Sequence, residues 1–194
     1  MMAKILIVDD EESIRFTFDS FLSDEGHEVT TAGEYNEALD IISRDEFDLI
    51  FMDIVLGGKT GIDLLKEVKK MGLHCHVVMI TGYPNVETAS AALRLGAFDY
   101  IFKPVKQEIL LHITGMALQN KALRDENEKY RANLEAIFKS VKDAIITVDK
   151  DMAVLQANEA AEKICGLTSG SSGGNFGAIQ TDCNSKCLEA LKKT

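Results

Sequence analysis

Lys4-Ile5-Leu6-Ile7-Val8 runs directly into Asp9-Asp10, an unbroken apolar stretch closed by acid. Three further stretches repeat the pattern: Leu49-Ile50-Phe51-Met52 ends at Asp53, Val77-Val78-Met79-Ile80 at Thr81, and Tyr100-Ile101-Phe102 at Lys103-Pro104. Short β-rich runs without polar alternation are what a strand buried on both faces of a parallel sheet looks like. The carboxyl ends of such strands lie along one edge, where ligands bind. Three carboxylates, a hydroxyl and an ammonium would therefore meet at one rim, a set suited to a divalent cation and a phosphoryl group.

Amphipathic stripes separate the strands. Ile14, Phe18, Phe21 and Leu22 share a helical face, as do Tyr35, Ala38, Leu39 and Ile42. Leu64, Leu65, Val68 and Met71 form a third stripe, and Val86, Ala89 and Leu93 a fourth. Gly26, Gly72 and Gly96 follow helical stretches, where a left-handed C-cap suits glycine. Five βα units predict an open, doubly wound α/β fold.

Taken together, Ile-Val-Asp-Asp-Glu at 7–11, Met-Asp-Ile at 52–54, Ile-Thr-Gly at 80–82 and Lys-Pro at 103–104 resemble the receiver domain of bacterial two-component response regulators. The resemblance implies a receiver over residues 1–118 with the flavodoxin-like strand order 2-1-3-4-5. It implies that Asp53 accepts a phosphoryl group from a histidine kinase or phosphotransfer protein. It also implies Mg2+ held by Asp9, Asp10, Asp53 and the backbone carbonyl of Val55, with Asp9 acting largely through water. Thr81 and Lys103 would stabilise the phosphoryl group, Thr81 and Tyr100 would form the switch, and Pro104 would follow a cis peptide bond. Chemically, magnesium fits because crowded carboxylates need a cation to offset their repulsion, and it takes oxygen ligands. Each residue has a plainer role open to it. Asp10 could cap the first helix with Glu11 and Glu12 complementing its dipole, Thr81 could be an ordinary strand residue, and Tyr100 a core aromatic.

Beyond the receiver the pattern changes. Ile109, Ile113, Met116, Asn120, Leu123, Asn127, Tyr130, Leu134, Ile137 and Val141 alternate at spacings of four and three, a heptad seam over a helical linker at 109–141. Ile109 and Ile113 are expected to face the receiver sheet, and the helix to leave the domain from Met116. Asn120 and Asn127 fall at a positions, where asparagine favours a register that meets its partner's asparagine. Glu126 and Arg131 could pair between parallel helices. A parallel homodimeric coiled coil is expected, with a solvated single helix as the competing reading.

From Ala144, Ala-Ile-Ile-Thr-Val-Asp and Ala153-Val-Leu-Gln-Ala-Asn predict two strands across a turn at Lys150-Asp151. With Asn158, the helical stretch after it, Gly174, Phe176 and Ile179, residues 142–194 resemble the start of a PAS sensor domain. Such domains need roughly a hundred residues, the usual domain scale. The chain therefore reads as a piece of a longer protein, lacking the later PAS strands, with a loosely held Ser/Gly-rich stretch from Thr168 to Gly174.

Composition narrows the function. A formal charge of −10 disfavours direct nucleic-acid binding and anionic membrane surfaces. No apolar stretch reaches transmembrane length, and the first strand starts too early for a leader, so a cytoplasmic chain is expected. Cys75, Cys165, Cys183 and Cys187 read as ordinary thiols, although Cys183 and Cys187 could share a helix face. His27, His74, His76 and His112 show no ligand spacing and suit surface or strand-edge positions. No multiple-turnover enzyme is expected. The output resembles transcriptional activators carrying an AAA+ ATPase, on Gly-Ala-Phe-Asp-Tyr at 96–100, and the receiver part of a hybrid histidine kinase is the alternative. An aspartate-nucleophile phosphatase of the haloacid-dehalogenase type would want Asp-x-Asp after the first strand. A flavin binder would want a phosphate-cradling loop there.

Overall fold

The computed structural model describes residues 2–83, 85–150 and 154–165. The chain divides into two compact units, Met1–Asp125 and Glu126–Thr194. In the first, β1 (Lys4–Val8), β2 (Glu28–Ala32), β3 (Leu49–Asp53), β6 (His76–Thr81) and β7 (Asp99–Phe102) form one parallel sheet. Its order is β2-β1-β3-β6-β7, which is 2-1-3-4-5 counting the sheet's own strands. The two strands skipped in that count, β4 (Val55–Leu56) and β5 (Lys59–Thr60), make a separate small hairpin.

Alternate strand residues face opposite sides, and the core divides accordingly. Leu6, Val8, Ile50, Met52, Val77 and Met79 pack beneath α2 (Tyr35–Arg44), α3 (Gly61–Lys70) and α4 (Val86–Arg94). Ile5, Ile7, Leu49, Phe51, Val78 and Ile80 pack beneath α1 (Glu12–Asp24) and α5 (Gln107–Ser140). The central strands are buried on both faces, which is why they read as continuous apolar runs. Gly26, Gly72 and Gly96 all have positive φ at helix ends.

The helical stripes need three corrections. On α4, Val86 is 86% and Leu93 51% exposed, and the buried residue is Ala92. The small Ala92 faces inward while the larger apolar residues face out, so size misled the reading. Met71 lies one residue past α3 as its C-cap and is 43% exposed. On α5 the inward line is Leu110, Ile113 and Ala117, while Ile109 is 46% exposed. Nor does α5 leave the receiver at Met116. Ala117 is fully buried, Lys121 Nζ lies 3.1 Å from Asp48 Oδ1, and Asn120 Oδ1 lies 3.1 Å from His76 Nε2.

The second unit contains the end of α5, an antiparallel pair β8 (Ile146–Val148) and β9 (Val154–Ala157), and α6 (Glu159–Cys165). Asn158 is fully buried and joins these pieces. Its Oδ1 accepts from the amides of Ile145 and Ala161, both at 2.9 Å, and its Nδ2 donates to the carbonyls of Val141 (3.2 Å) and Asp143 (2.9 Å). The expectations for Thr168–Gly174, Phe176, Ile179, Cys183 and Cys187 lie outside the described residues. No helix among the described residues is long and apolar enough to cross a membrane.

Candidate functional site

Asp9 follows β1, Asp53 closes β3, Thr81 closes β6, and Lys103 follows β7. The parallel register aligns Val8 with Met52 and Asp53 with Ile80, so these ends share one edge. Carboxylate oxygens of Asp9, Asp10 and Asp53 all lie within 4.8 Å of one another. Asp9 and Asp53 are buried and Asp10 is exposed. Lys103 Nζ lies 2.7 Å from Asp53 Oδ2 and 2.9 Å from both Asp9 Oδ2 and Glu11 Oε1. Three carboxylates contact one ammonium and Asp10 stands beside two of them, which leaves an excess of negative charge.

The helix-cap alternative for Asp10 does not hold. The N-cap of α1 is Glu11, without a side-chain cap bond, and Asp9 Oδ1 accepts the Glu11 amide at 3.0 Å. Asp53 Oδ1 accepts the Val55 amide at 3.2 Å. Thr81 Oγ1 accepts the Tyr83 amide at 3.1 Å, and the Lys103 amide donates to the Thr81 carbonyl at 2.8 Å. The Tyr100 hydroxyl is paired with Thr88 of α4 at 3.1 Å, so Tyr100 links β7 to α4 and is only partly buried. The Lys103–Pro104 peptide bond is cis.

Three residues of this rim were not assigned to it from sequence. Glu11, read as a dipole partner, holds Lys103 instead. Arg15 Nη1 donates to the carbonyls of Asp9 (2.7 Å) and Asp10 (3.1 Å), fastening the acidic turn to α1. Gly61 starts α3 so close to the site that a Cβ there would stand 2.0 Å from the Asp53 carbonyl oxygen. Glycine after Lys59-Thr60 was the only signal, and Gly57-Gly58 was the corresponding mark of the β4–β5 hairpin.

Electrostatics divide the site. Burial opposes the charge on Lys103, but its hydrogen bonds to Asp53 and Glu11 and its ion pair with Asp9 outweigh it and hold the ammonium above the usual lysine range. Burial raises the Asp9 carboxyl, with Asp53 adding to the effect, despite Lys103 and the Glu11 amide. Asp9 Oδ2 is buried and accepts no well-directed hydrogen bond, its contact being the Lys103 ammonium. An all-oxygen donor set with such an atom fits a hard divalent cation.

A raised folded-state pKa favours folding below the unfolded carboxyl value, and that stabilisation is lost as pH rises through the folded value. Ionised Asp9 therefore costs stability at neutral pH. Asp9→Asn is expected to raise neutral-pH stability by about 0.5–2 kcal/mol, the usual size of such a gain. Urea titrations should show the difference shrinking in acid, where Asp9 is protonated too. No gain at neutral pH would mean the Lys103 pairing outweighs burial.

An acidic rim with one inward lysine on a 2-1-3-4-5 parallel sheet defines a receiver-type phosphoacceptor domain. Residues 5–114 match the family model of the response regulator receiver domain, and the chain belongs to that family of two-component signalling proteins. Residues 132–193 match a PAS domain. The chain is 34% identical over 162 residues to the alginate biosynthesis transcriptional regulatory protein AlgB of Pseudomonas syringae pv. tomato, covering 80% of this chain and 36% of that protein. It resembles the structure of NtrX from Brucella abortus with TM-score 0.65 and 38% identity, over 78% of this chain and 32% of that one. A CheY-like receiver domain protein from Methanospirillum hungatei gives TM-score 0.62 at 33% identity, over 64% of this chain and 99% of that one. The chain thus spans about a third of the length of the curated regulators it matches. Family membership sets aside the phosphatase and flavin-binding readings.

Proposed function

We propose that Asp53 accepts the phosphoryl group of this receiver, and that residues 1–118, 109–141 and 142–194 act as receiver, coiled-coil linker and the first part of a PAS domain. The observation that carries the site is Asp53, buried at a strand end with Lys103 at 2.7 Å and two further aspartates beside it. An Asp53 oxygen attacks phosphorus, the new O–P bond forms, and the P–N bond to a partner kinase's histidine breaks, leaving the imidazole. Acetyl phosphate can replace the kinase, with acetate leaving. Lys103 places its charge against a phosphoryl oxygen and Thr81 donates its hydroxyl to another. Asp9, Asp10, Asp53 and the Val55 carbonyl would hold Mg2+, which, when bound, offsets carboxylate repulsion and draws charge from the phosphoryl oxygens. Thr81 and Tyr100 serve as the switch, and a few kcal/mol of differential contact suffices to shift such an equilibrium. The domain is modified once and reset, rather than cycling as an enzyme. It works in the cytoplasm with a cognate histidine kinase or phosphotransfer protein, apart from membrane and DNA. The relatives' printed roles support an output in transcription regulation over a hybrid kinase.

The test is uptake of one base-labile phosphoryl group from acetyl phosphate, dependent on magnesium and mapped by peptide mass spectrometry to residues 49–60. Uptake without magnesium, or mapping elsewhere, overturns the assignment.

The linker reading is a homodimer. Leu123, Tyr130, Leu134 and Ile137 are 50–64% exposed along one stripe of α5, and Glu126 and Arg131 sit where they pair between parallel copies. Because Asn120 is engaged by His76, the seam starts at Leu123. Glutamate at both Leu123 and Leu134 is expected to give monomers that still phosphorylate. A wild-type chain that sediments as a monomer at high micromolar concentration removes the coil.

A further inference from the structure

The edge of the sheet opposite the acidic rim carries a second polar cluster. Asp48, one residue before β3, gathers three elements there: its Oδ2 accepts the Lys4 amide at 2.9 Å, its carbonyl accepts the His76 amide at 3.1 Å, and its Oδ1 lies 3.1 Å from Lys121 Nζ of α5. His76, the first residue of β6, is buried and stacks on Phe98 with ring centroids 4.6 Å apart and planes 20° apart. That stack fixes the imidazole in the orientation that meets Asn120 Oδ1 at 3.1 Å. A buried histidine bonded to an exposed helix residue is a specific contact, because its loss leaves a buried donor unpaired.

We propose that the His76–Asn120 bond, braced by Lys121–Asp48, is the latch by which the receiver sheet sets the position of α5, so that His76 and Asn120 are positioning residues for output. The coupling half of this proposal rests on Asp53 being the phosphoacceptor. Strand β6 is the physical connection. It begins at His76 and ends at Thr81, all six of its residues are buried, and it is hydrogen-bonded to β3 on one side and β7 on the other. A displacement of Thr81 toward a phosphoryl group is therefore shared with the strand whose other end holds the helix. Beyond the latch, α5 presents the exposed stripe from Leu123 to Ile137.

The latch has an acid side. With Asn120 Oδ1 as acceptor, the ring carries its hydrogen on Nε2. The positive charges of Lys69 of α3 and of Lys121 and Arg124 of α5 act on it, and Lys121 is itself paired with Asp48 and Asp125, while the Cys75 thiol precedes it in the chain. Burial of the ring opposes a second proton on Nδ1, and the nearby positive charges of Arg124, Lys69 and Lys121 add to that opposition while the Asn120 bond works against it, so acid should loosen the contact.

The experiment is hydrogen exchange of the whole chain, expressed as protection factors, with and without acetyl phosphate and magnesium. Asn120→Ala, at an exposed position, is expected to lower protection at 118–124 at least tenfold while phosphoryl uptake changes less than twofold. The phosphorylation-dependent change expected at 126–140 in the natural chain should then disappear. His76→Gln keeps a donor for Asn120 and does not titrate. It should preserve protection at neutral pH and remove the loss of protection expected of the natural chain below about pH 6.5, the ordinary histidine value at which the opened ring takes up a proton. Unchanged protection at 118–124 in Asn120→Ala overturns the latch, and a persisting response at 126–140 in that variant, or none in a phosphorylated natural chain, overturns the coupling. Failure to phosphorylate at all counts against the Asp53 assignment, and the protection measurements still decide the latch.

Discussion

Asp53→Ala is expected to fold and to take up no phosphoryl group. The carboxylate is buried at the end of β3, where its Oδ2 is held by Lys103 and its Oδ1 by the Val55 amide. Neither of its partners can replace it: Lys103 is held protonated by its acidic neighbours, and the Val55 amide is no nucleophile. Asp9 is the nearest substitute, but it is tied to the Glu11 amide and to Lys103. The fold should tolerate the change because removing one of four clustered acids relieves repulsion. Intact-mass measurement after incubation with acetyl phosphate and magnesium reads the result. Labelling at full level in the variant would transfer the role to another residue.

Gly61→Ala should have the next largest effect, through the backbone. The added methyl would stand 2.0 Å from the Asp53 carbonyl oxygen, 3.0 Å from its carbon and 3.2 Å from Met52 Cγ. The first two are main-chain atoms of the central strand and cannot swing aside as a side chain would. Either the start of α3 lifts, breaking the Gly61 amide's 2.8 Å bond to the Ile54 carbonyl, or Asp53 moves. Overpacking of this kind costs about 1–3 kcal/mol, and displacement of the acceptor should slow phosphoryl uptake by at least about tenfold, given how steeply transfer depends on placement. Gly115→Ala supplies the contrast. It sits within α5, a Cβ there meets nothing within 4 Å, and the change should stabilise by about 0.4–1 kcal/mol. Urea unfolding and uptake rates on both variants check the pair. Normal stability and normal uptake in Gly61→Ala would show that the strand end yields.

The central strands were legible because a strand buried on both faces has no choice but to be apolar throughout, and a chemical residue at its end breaks the run visibly. The rim was legible for the same reason. Glu11 and Arg15 were not, because each lies at an ordinary helix start and its partner is decided by how α1 meets β7 or the turn after β1. Gly61 was hidden since close approach of two backbones leaves no periodic trace. On α4 the apolar residues of largest size face outward, and only packing reveals that Ala92 is the buried one. Asn120 shows the limit of periodicity most clearly: spacing placed it on a seam but could not say whether its partner was another helix or His76.

Asn158 has a consequence for how the second unit can fail. One side chain holds the end of α5, the turn before β8 and the first turn of α6 through four hydrogen bonds, while its own backbone adds the Ile145 and Glu162 bonds. Aspartate lacks the two donors, serine is too short to reach both sides, and glutamine carries its amide one methylene too far. A substitution in a sheet seldom removes more than one ladder bond, whereas loss of this side chain leaves the joint only the two bonds of its backbone and the β8–β9 pairing. A single substitution there therefore removes four bonds from three segments at once.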